Sequence, residues 1–449
     1  MFSIRSAIIF YMIFISQVIA ASTFAGSADN AARESFDIKT LADDGAWTWF
    51  NDERVIVDGN VMYIGCVDSH GWSRIYLYRL DAPSDKLSQT QYILSSWQSR
   101  DDHNNPSLLK LANGKILAAY AKHHVEKKWY WRLAERNNSG QNQELVWGQE
   151  QVFSTEANTT YSNLFQLSDE KGRIYNFIRA VGFNPNILYS DDMAGTWMGP
   201  FVLIESGDNS TRPYVKYASS GRDRIDILYT DGHPRDVPNN SVYHIYYKNG
   251  SFYKSDGKLI KTFEQLKQNP IVPSDGTKIY DGVSVTGRGW VWDMEYDSNG
   301  SPIAVYINSA DHAEGNDLRY RYARWNSTDK KWDERQIAYA GTNLYVPENH
   351  YAGGITIDPE NTNIVYISCD VNPVDGKPNL TGRYQIYRGI LQNVNNQWQW
   401  TQLTFNTDAD NIRPIIPQKH GCKICVIWLQ GQYKKYTDFT THIAGIIEK

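Results

Sequence analysis

The chain of 449 residues carries 45 Lys+Arg against 50 Asp+Glu, a formal net charge of −5. That balance lacks the basic footprint of a nucleic-acid-binding protein, although a local basic pocket for an anionic ligand remains compatible with it. Four cysteines are too few for a disulfide framework in a chain of this size.

Met1 to Ala21 reads as a secretory signal: Arg5 in the basic region, Ala7 to Ile15 as the apolar stretch, and Val18-Ile19-Ala20 before the cut. The protein is therefore expected to be secreted, extracellular or periplasmic. No later apolar run has the length of a transmembrane helix, so no membrane association is expected. Residues 22–36 are small and polar and read as a disordered leader, with residues 37–449 forming the folded domain.

From residue 37 onward helical periodicity is nearly absent, and only Lys261 to Lys267 offers a short helix. Instead there are short runs rich in Ile, Val and Tyr between Gly-, Asn- or Asp-containing turns. Val61 to Gly65, Ile174 to Ile178, Ile225 to Tyr229, Ile303 to Tyr306 and Ile364 to Ile367 are examples. First strands of a loose repeat start near Trp47, His103, Tyr161, Arg212, Gly282, His350 and Ile412. Their intervals of roughly 50 to 70 residues suit four-stranded blades with variable loops. The expected fold is all-β, a seven-bladed β-propeller. The stretch from Ile412 to Trp428 is short for a whole blade, so residues around Trp47 to Val57 are expected to complete it.

Ser190-Asp191-Asp192-Met193-Ala194-Gly195-Thr196-Trp197 resembles the Asp-box of sialidase-type propellers, with Ala194 in place of a glycine. It is a structural turn and speaks for fold rather than activity. Cys422 and Cys425 form a C-x-x-C that reads as part of a strand, where residues three apart face opposite sides. They are expected to be buried small residues, as are Cys66 and Cys369.

Arg100 to His124 carries the densest chemistry. Ser107 to Leu111 and Ile116 to Tyr120 read as a hairpin turned by Asn113-Gly114. The hairpin returns the His123/His124 pair to His103, and such a cluster suits proton transfer or metal binding. In a propeller the strand ends line a central funnel, which adds Tyr161, Arg179, Arg212, His350 and Arg413 to the candidates. The set mixes His, Tyr and Arg, with Asp101, Asp102 and Glu348 as its few carboxylates.

A typical glycosidase needs two carboxylates flanking the scissile bond. A lyase acting on a uronate needs cationic or donating groups on the sugar carboxylate, a base for the C5 proton and an acid for the C4 oxygen. Arg, His and Tyr can fill those roles, so no cofactor is expected to be required for catalysis. Abundant tyrosine (30) and tryptophan (15) could serve as sugar platforms, although β-proteins are aromatic-rich in any case.

The chain resembles the BNR-type propeller proteins that include the secreted ulvan lyases. Asp44 to Phe50, Asp101 to Asn104, Lys122 to His124, Thr160 to Asn163, Gly172 to Arg179, Arg212 to Tyr217, Thr230 to Pro234, Tyr351 to Gly354 and Arg413-Pro414 carry the resemblance. It implies that His103 and Tyr161 are the proton-transfer pair, Tyr161 as acid and His103 as base or sharing that role. Arg179 with His123 would neutralise the carboxylate, and His124 rivals His123. Tyr161 reads alternatively as a core tyrosine, Arg179 as half of a strand-end salt bridge, and Arg212 and Tyr214 as either subsite residues or blade packing. Arg235 and His350 join them as substrate-binding candidates. A structural zinc or calcium ion is a further expectation, with His233 and either Cys369 or His350 as ligands.

The expected partner is an anionic polysaccharide, ulvan first, met by a monomer and cleaved by β-elimination. The rivals are an exo-acting rhamnose–glucuronate lyase or hydrolase and a non-catalytic carbohydrate-binding propeller. A sialidase-like hydrolase fits less well, lacking an evident arginine cluster.

Overall fold

β-Branched and aromatic side chains pack well on a pleated surface, and the Ile-, Val- and Tyr-rich runs accordingly form strands whose inner members are buried. The computed structural model describes residues 36–81, 91–97, 99–136, 145–207, 211–285, 287–309, 316–346, 348–392 and 394–449. The signal and nearly all of the leader expected from the sequence lie outside them.

Seven antiparallel sheets form the blades of a propeller. The innermost strands are, in order, Val55–Asp58, Ser107–Lys110, Thr160–Leu167, Val215–Ser219, Arg288–Tyr296, Gly354–Ile357 and Asp410–Ile415. Within each sheet neighbouring strands run antiparallel; the second adds Leu145–Trp147, and the fourth adds Leu259–Thr262 and Thr277–Tyr280. The short helix falls at Phe263–Leu266, inside the expected span, with the Thr262 side chain capping the Gln265 amide at 3.2 Å. No helix among the described residues is long and apolar enough to cross a membrane.

The closing strand differs from expectation. Lys39–Ala42 completes the seventh blade, pairing Lys39 with Gly445 and Thr40 with Ala444 on the strand Asp438–Glu448. Trp47 to Asp52 instead crosses the middle of the ring, and Val55–Asp58 opens the first blade. The reason is compositional. Trp47, Trp49 and Phe50 are large apolar rings that fill the axis, with Trp49 stacked on Trp292 at 4.2 Å and 3°.

In the Asp-box, the Asp192 carboxylate accepts from the Thr196 amide at 2.8 Å and the Thr196 hydroxyl at 2.7 Å. Ala194 takes φ 68° where the motif's glycine would be unstrained, and its carbonyl accepts the Trp131 indole N–H at 2.9 Å. The cysteine pair is also corrected. The strand begins at Ile424, so Cys422 sits in the bend before it, and its thiol donates to the His420 carbonyl at 3.2 Å. Four free cysteines result, of which Cys422 is only partly buried.

A ring of acids surrounds the axis beside the aromatic plug. Lys216 bonds the Asp52 carboxylate and the Trp49 carbonyl, Asp293 accepts from Thr356 and the Ile357 amide, and Gln418 donates to Glu295. Burial, with Asp52 and Asp293 nearby, pushes the Glu53 carboxyl from 4.5 up to about 8. A carboxyl raised on folding contributes stability that is full below its unfolded pKa and lost as pH rises toward the folded one. Glu53→Gln should therefore flatten the fall of the melting temperature between pH 4.5 and 8. Melting curves at half-unit steps test this, and slopes identical to wild type would refute the assignment.

Candidate active site

The Asn113-Gly114 hairpin does what its spacing implies. Ser107 pairs with Ala119, Gly114 takes φ 84°, and the open ends meet. Before the first strand, Asp102–Asn104 forms a single 3₁₀ turn whose preceding residue, Asp101, caps the His103 amide at 3.0 Å. After the second strand, the His123 amide donates to the Asn104 side chain at 2.7 Å. Asp101 then bridges two imidazoles. One carboxylate oxygen lies 2.8 Å from His103 Nδ1, and the other lies 2.8 Å from His123 Nδ1. The rings stack at 4.0 Å and 13°, with Tyr436 edge-on to both. Neither Nε2 has a hydrogen-bond partner among the described residues.

Asp102 Oδ1 lies 2.8 Å from the same His103 Nδ1. The well-formed hydrogen bond goes to Asp101, and Asp102 Oδ1, which has no hydrogen-bond partner among the described residues, acts through its charge. Burial opposes the imidazolium, yet the two carboxylates outweigh it and raise His103 to about 10. Burial and the adjacent His103 cation push His123 the other way, below its ordinary 6.5. Two stacked histidines thus hold different protonation states at neutral pH. Asp102 is fixed from beneath by Arg413, which is fully buried and reaches its carboxylate at 2.5 Å, with Tyr433 donating to the same oxygen.

Tyr161 and Arg179 face this pair from the third blade. Tyr161 has φ 67° in a bulge between Thr160 and Asn163, a device that re-aims a side chain beside a site. Its ring centroid is 5.7 Å from that of His103, and its buried hydroxyl makes no well-formed hydrogen bond. Arg179 packs over the Tyr161 ring at 4.8 Å and the Tyr214 ring at 4.2 Å. It donates to the Tyr214 hydroxyl at 3.4 Å, while its buried Nε is unpartnered. Arg179 is 4% exposed and pairs with no acid among the described residues. Against the cost of burial, Arg179 and Arg212 bring the Tyr214 hydroxyl down to about 8, whereas burial keeps Tyr161 well above 10.

His103, His123, Tyr161, Arg179 and Tyr214 are therefore brought together. Two of the other candidates are engaged elsewhere. Arg212 pairs with Asp236 at 2.8 Å, and Arg235 pairs with Glu348 at 2.5 Å and Asp236 at 2.9 Å. His124 lies one step outward, edge-on to Phe183 at 4.6 Å. His350 and His233 are buried at the inner wall, His233 against Tyr214 and Trp290. Asn51, Tyr433, Tyr436 and Phe183 escaped the sequence reading. A hairpin-tip tyrosine carries no pattern, whereas Asn51 directly follows the aromatic run Trp47 to Phe50.

Among the described residues, the groups whose ligand atoms lie within 4.8 Å of one another are Asp101–His103–His123 and Asp44–Asp68–His70. The expected set of His233 with Cys369 or His350 is not one of them. His233 Nδ1 accepts the Arg235 amide, and the Cys369 thiol donates to the Val371 carbonyl. In the first group both Nδ1 atoms sit at hydrogen-bonding distance from Asp101, an arrangement that shares protons. In the second, Asp44 and Asp68 are occupied by the turn at Ser69 to Arg74.

The model of the BNR repeat-containing family matches residues 61–340. Comparison with the curated proteins finds no match. Two solved structures of a polysaccharide lyase of family PL25, an ulvan lyase, share the fold at 12% identity. The free form has a TM-score of 0.64, covering 92% of this chain and 96% of that one. The form bound to -[GlcA(1-4)Rha3S]- has a TM-score of 0.62, covering 91% and 96%. A lectin from Burkholderia pseudomallei is 9% identical with a TM-score of 0.47, covering 91% and 97%.

Asp101→Asn keeps the side-chain volume but removes one of the two charges on His103. The His103 pKa, followed by the imidazole proton resonance, should fall from about 10 by at least about one unit. A group raised on folding stabilises fully below its unfolded value and loses that contribution as pH rises through the folded one. The wild-type melting temperature should thus drop more steeply than the variant's between pH 7 and 10. An unmoved His103 resonance would remove Asp101 from this role.

Proposed function

The chain belongs to the BNR repeat-containing family, and from that premise we propose that it is a polysaccharide lyase that cleaves rhamnose–uronate linkages by β-elimination, with ulvan as the favoured substrate. The observation that carries the reading is Arg179, a buried guanidinium with no acid beside it among the described residues. A buried cation without a counter-ion is costly, and a substrate carboxylate supplies the missing charge. The ulvan lyase of the same fold, bound to a glucuronate–rhamnose sulfate chain, supports the choice of ligand. The substrate reaches the enzyme outside the cell, in keeping with the signal-like sequence at Met1 to Ala21.

In this reading the uronate carboxylate lies between Arg179 and the His103 imidazolium, which together stabilise the charge that builds up as the C5–H bond breaks. His123, neutral and steered by Asp101, takes the C5 proton on its Nε2. Tyr161, kept protonated by burial, donates its proton to O4 as the C4–O4 bond breaks. The electron pair from C5–H becomes the C4=C5 double bond. The base thus moves from His103, which its two carboxylates hold protonated, to its neighbour. Tyr214 is the rival base, because its hydroxyl is brought down to about 8.

Mixing the protein with ulvan should raise absorbance near ~235 nm, and His123→Ala and Tyr161→Phe should each slow that rise by roughly 10²–10⁴-fold. With His123 as base, kcat/KM climbs with an apparent pKa below 6.5 and declines near 10 as His103 loses its proton. A climb centred near 8 would give the base role to Tyr214. No absorbance change on ulvan or rhamnose–glucuronate gums, with sugar binding intact, would replace the lyase by a carbohydrate-binding propeller.

A further inference from the structure

Beside the catalytic pair lies an open depression lined by His124, Ala157, Asn158, Ala180, Gly182 and Phe183. We propose that it is a sugar subsite, with Phe183 as its platform, that holds the apolar face of the pyranose next to the uronate in the same chain, a 6-deoxyhexose fitting it best. The proposal rests on the lyase reading for the uronate's position and adds a binding element that this reading does not use.

Three observations carry it. The first is backbone conformation. Gly182 and Phe183 are consecutive left-handed residues, φ 68° and 59°, and His124 across the depression has φ 54°. For a bulky residue such as Phe183 this conformation costs on the order of 1 kcal/mol or more. Core burial does not repay that cost, because Phe183 keeps partial solvent exposure and belongs to none of the buried clusters of the blades. Strained residues of this kind cluster at ligand clamps and active sites, and here the strain presents an aromatic ring to an open cleft.

The second is position. Arg179 lies over the Phe183 ring at 5.1 Å and Arg212 at 5.6 Å, so one end of the depression touches the group proposed to hold the uronate. The chain also runs directly from the catalytic loops into its wall. His124 follows His123, and its amide donates to Thr160 Oγ1 at 3.0 Å, one residue before Tyr161. A sugar there and a uronate at Arg179 are neighbours along one polymer.

The third is the chemistry of the lining. Ala157, Ala180, Gly182 and the Phe183 ring offer mainly carbon, and Asn158 Nδ2 is occupied by the His124 carbonyl at 3.0 Å. His124 is pushed toward its neutral form by burial, Arg179 and Arg212. A surface of this kind matches C–H groups and a methyl better than a second carboxylate. Arg212, although paired with Asp236, borders the depression from the cationic side and is compatible with an ester sulfate on the same sugar.

Phe183→Ala and Phe183→Asn test the assignment, Asn being chosen because it tolerates the left-handed backbone. Each should raise KM for ulvan about tenfold, the scale of one lost aromatic contact, with a much smaller change in kcat. Calorimetric titration of an unsulfated and a sulfated uronate–rhamnose oligosaccharide into the Tyr161→Phe protein, with and without Phe183→Asn, reads the same loss without turnover. Cleavage by the wild type with KM and affinity unmoved in both Phe183 variants would overturn the subsite and leave the lyase standing. So would a fall in kcat at constant KM, which would make Phe183 a support for Arg179. Absence of cleavage with a Phe183-dependent affinity would overturn the lyase reading and keep the subsite.

Discussion

Arg413 and Asp102 form a fully buried ion pair between the seventh blade and the loop that precedes the second. Neither charge could stay in that interior alone, since an uncompensated buried ion costs several kcal/mol. Arg413 also donates to the Trp47 carbonyl and the Tyr433 hydroxyl, while its buried Nε is unpartnered among the described residues. Gly354 makes room for the approach, because a Cβ at that position would lie 3.0 Å from the Arg413 Cα. From this pair outward the charges alternate: Arg413 positive, Asp102 negative, His103 positive, Asp101 negative. His123, last in line and stacked on a cation, is left neutral. The protonation pattern of the surface is therefore set several residues below it.

The axial segment from Trp47 to Asp52 translates that pattern into position. Its aromatic rings plug the ring of blades, and its backbone and Asn51 hold the loops above. Asn51 donates to the His103 carbonyl at 3.0 Å and the Asn105 carbonyl at 2.8 Å, and it accepts the Ser162 amide at 3.1 Å. One side chain thereby fixes the spacing between the histidine loop and the tyrosine bulge. Bulges at Tyr161 and between Ile412 and Ile415 then turn side chains that regular strands would direct elsewhere.

Much of this was legible in the sequence because it rests on local rules. Asn113-Gly114 dictates the hairpin, and the hairpin brings His103 and His123 together. Repeated Ile/Val/Tyr runs at blade-length intervals give the architecture. Three features were not legible, each for a physical reason. The closing strand Lys39–Ala42 is four residues without a strong alternation, so the aromatic Trp47 to Val57 stretch attracted the assignment instead. Cys422 lies two residues before the strand that begins at Ile424, in a bend where the alternation of a strand no longer sets its side. The charge states of His103 and His123 depend on Asp102 and Arg413, partners 311 residues apart in the chain, and no spacing rule reaches that far.

The way the ring closes has a consequence for how the protein matures. Six blades are assembled from consecutive hairpins and can form as their own stretch of chain becomes available. The seventh needs Lys39–Ala42 beside Asp438–Glu448, a pairing of nearly the longest sequence separation in the chain, and such contacts form late because loop-closure entropy precedes their reward. Arg413 belongs to that seventh blade. Until it docks, Asp102 lacks its counter-ion and the histidine pair lacks its charge order. Topological completion and the charge order of the histidine pair therefore arrive in one step, and a half-assembled chain carries the side chains of the site without their arrangement.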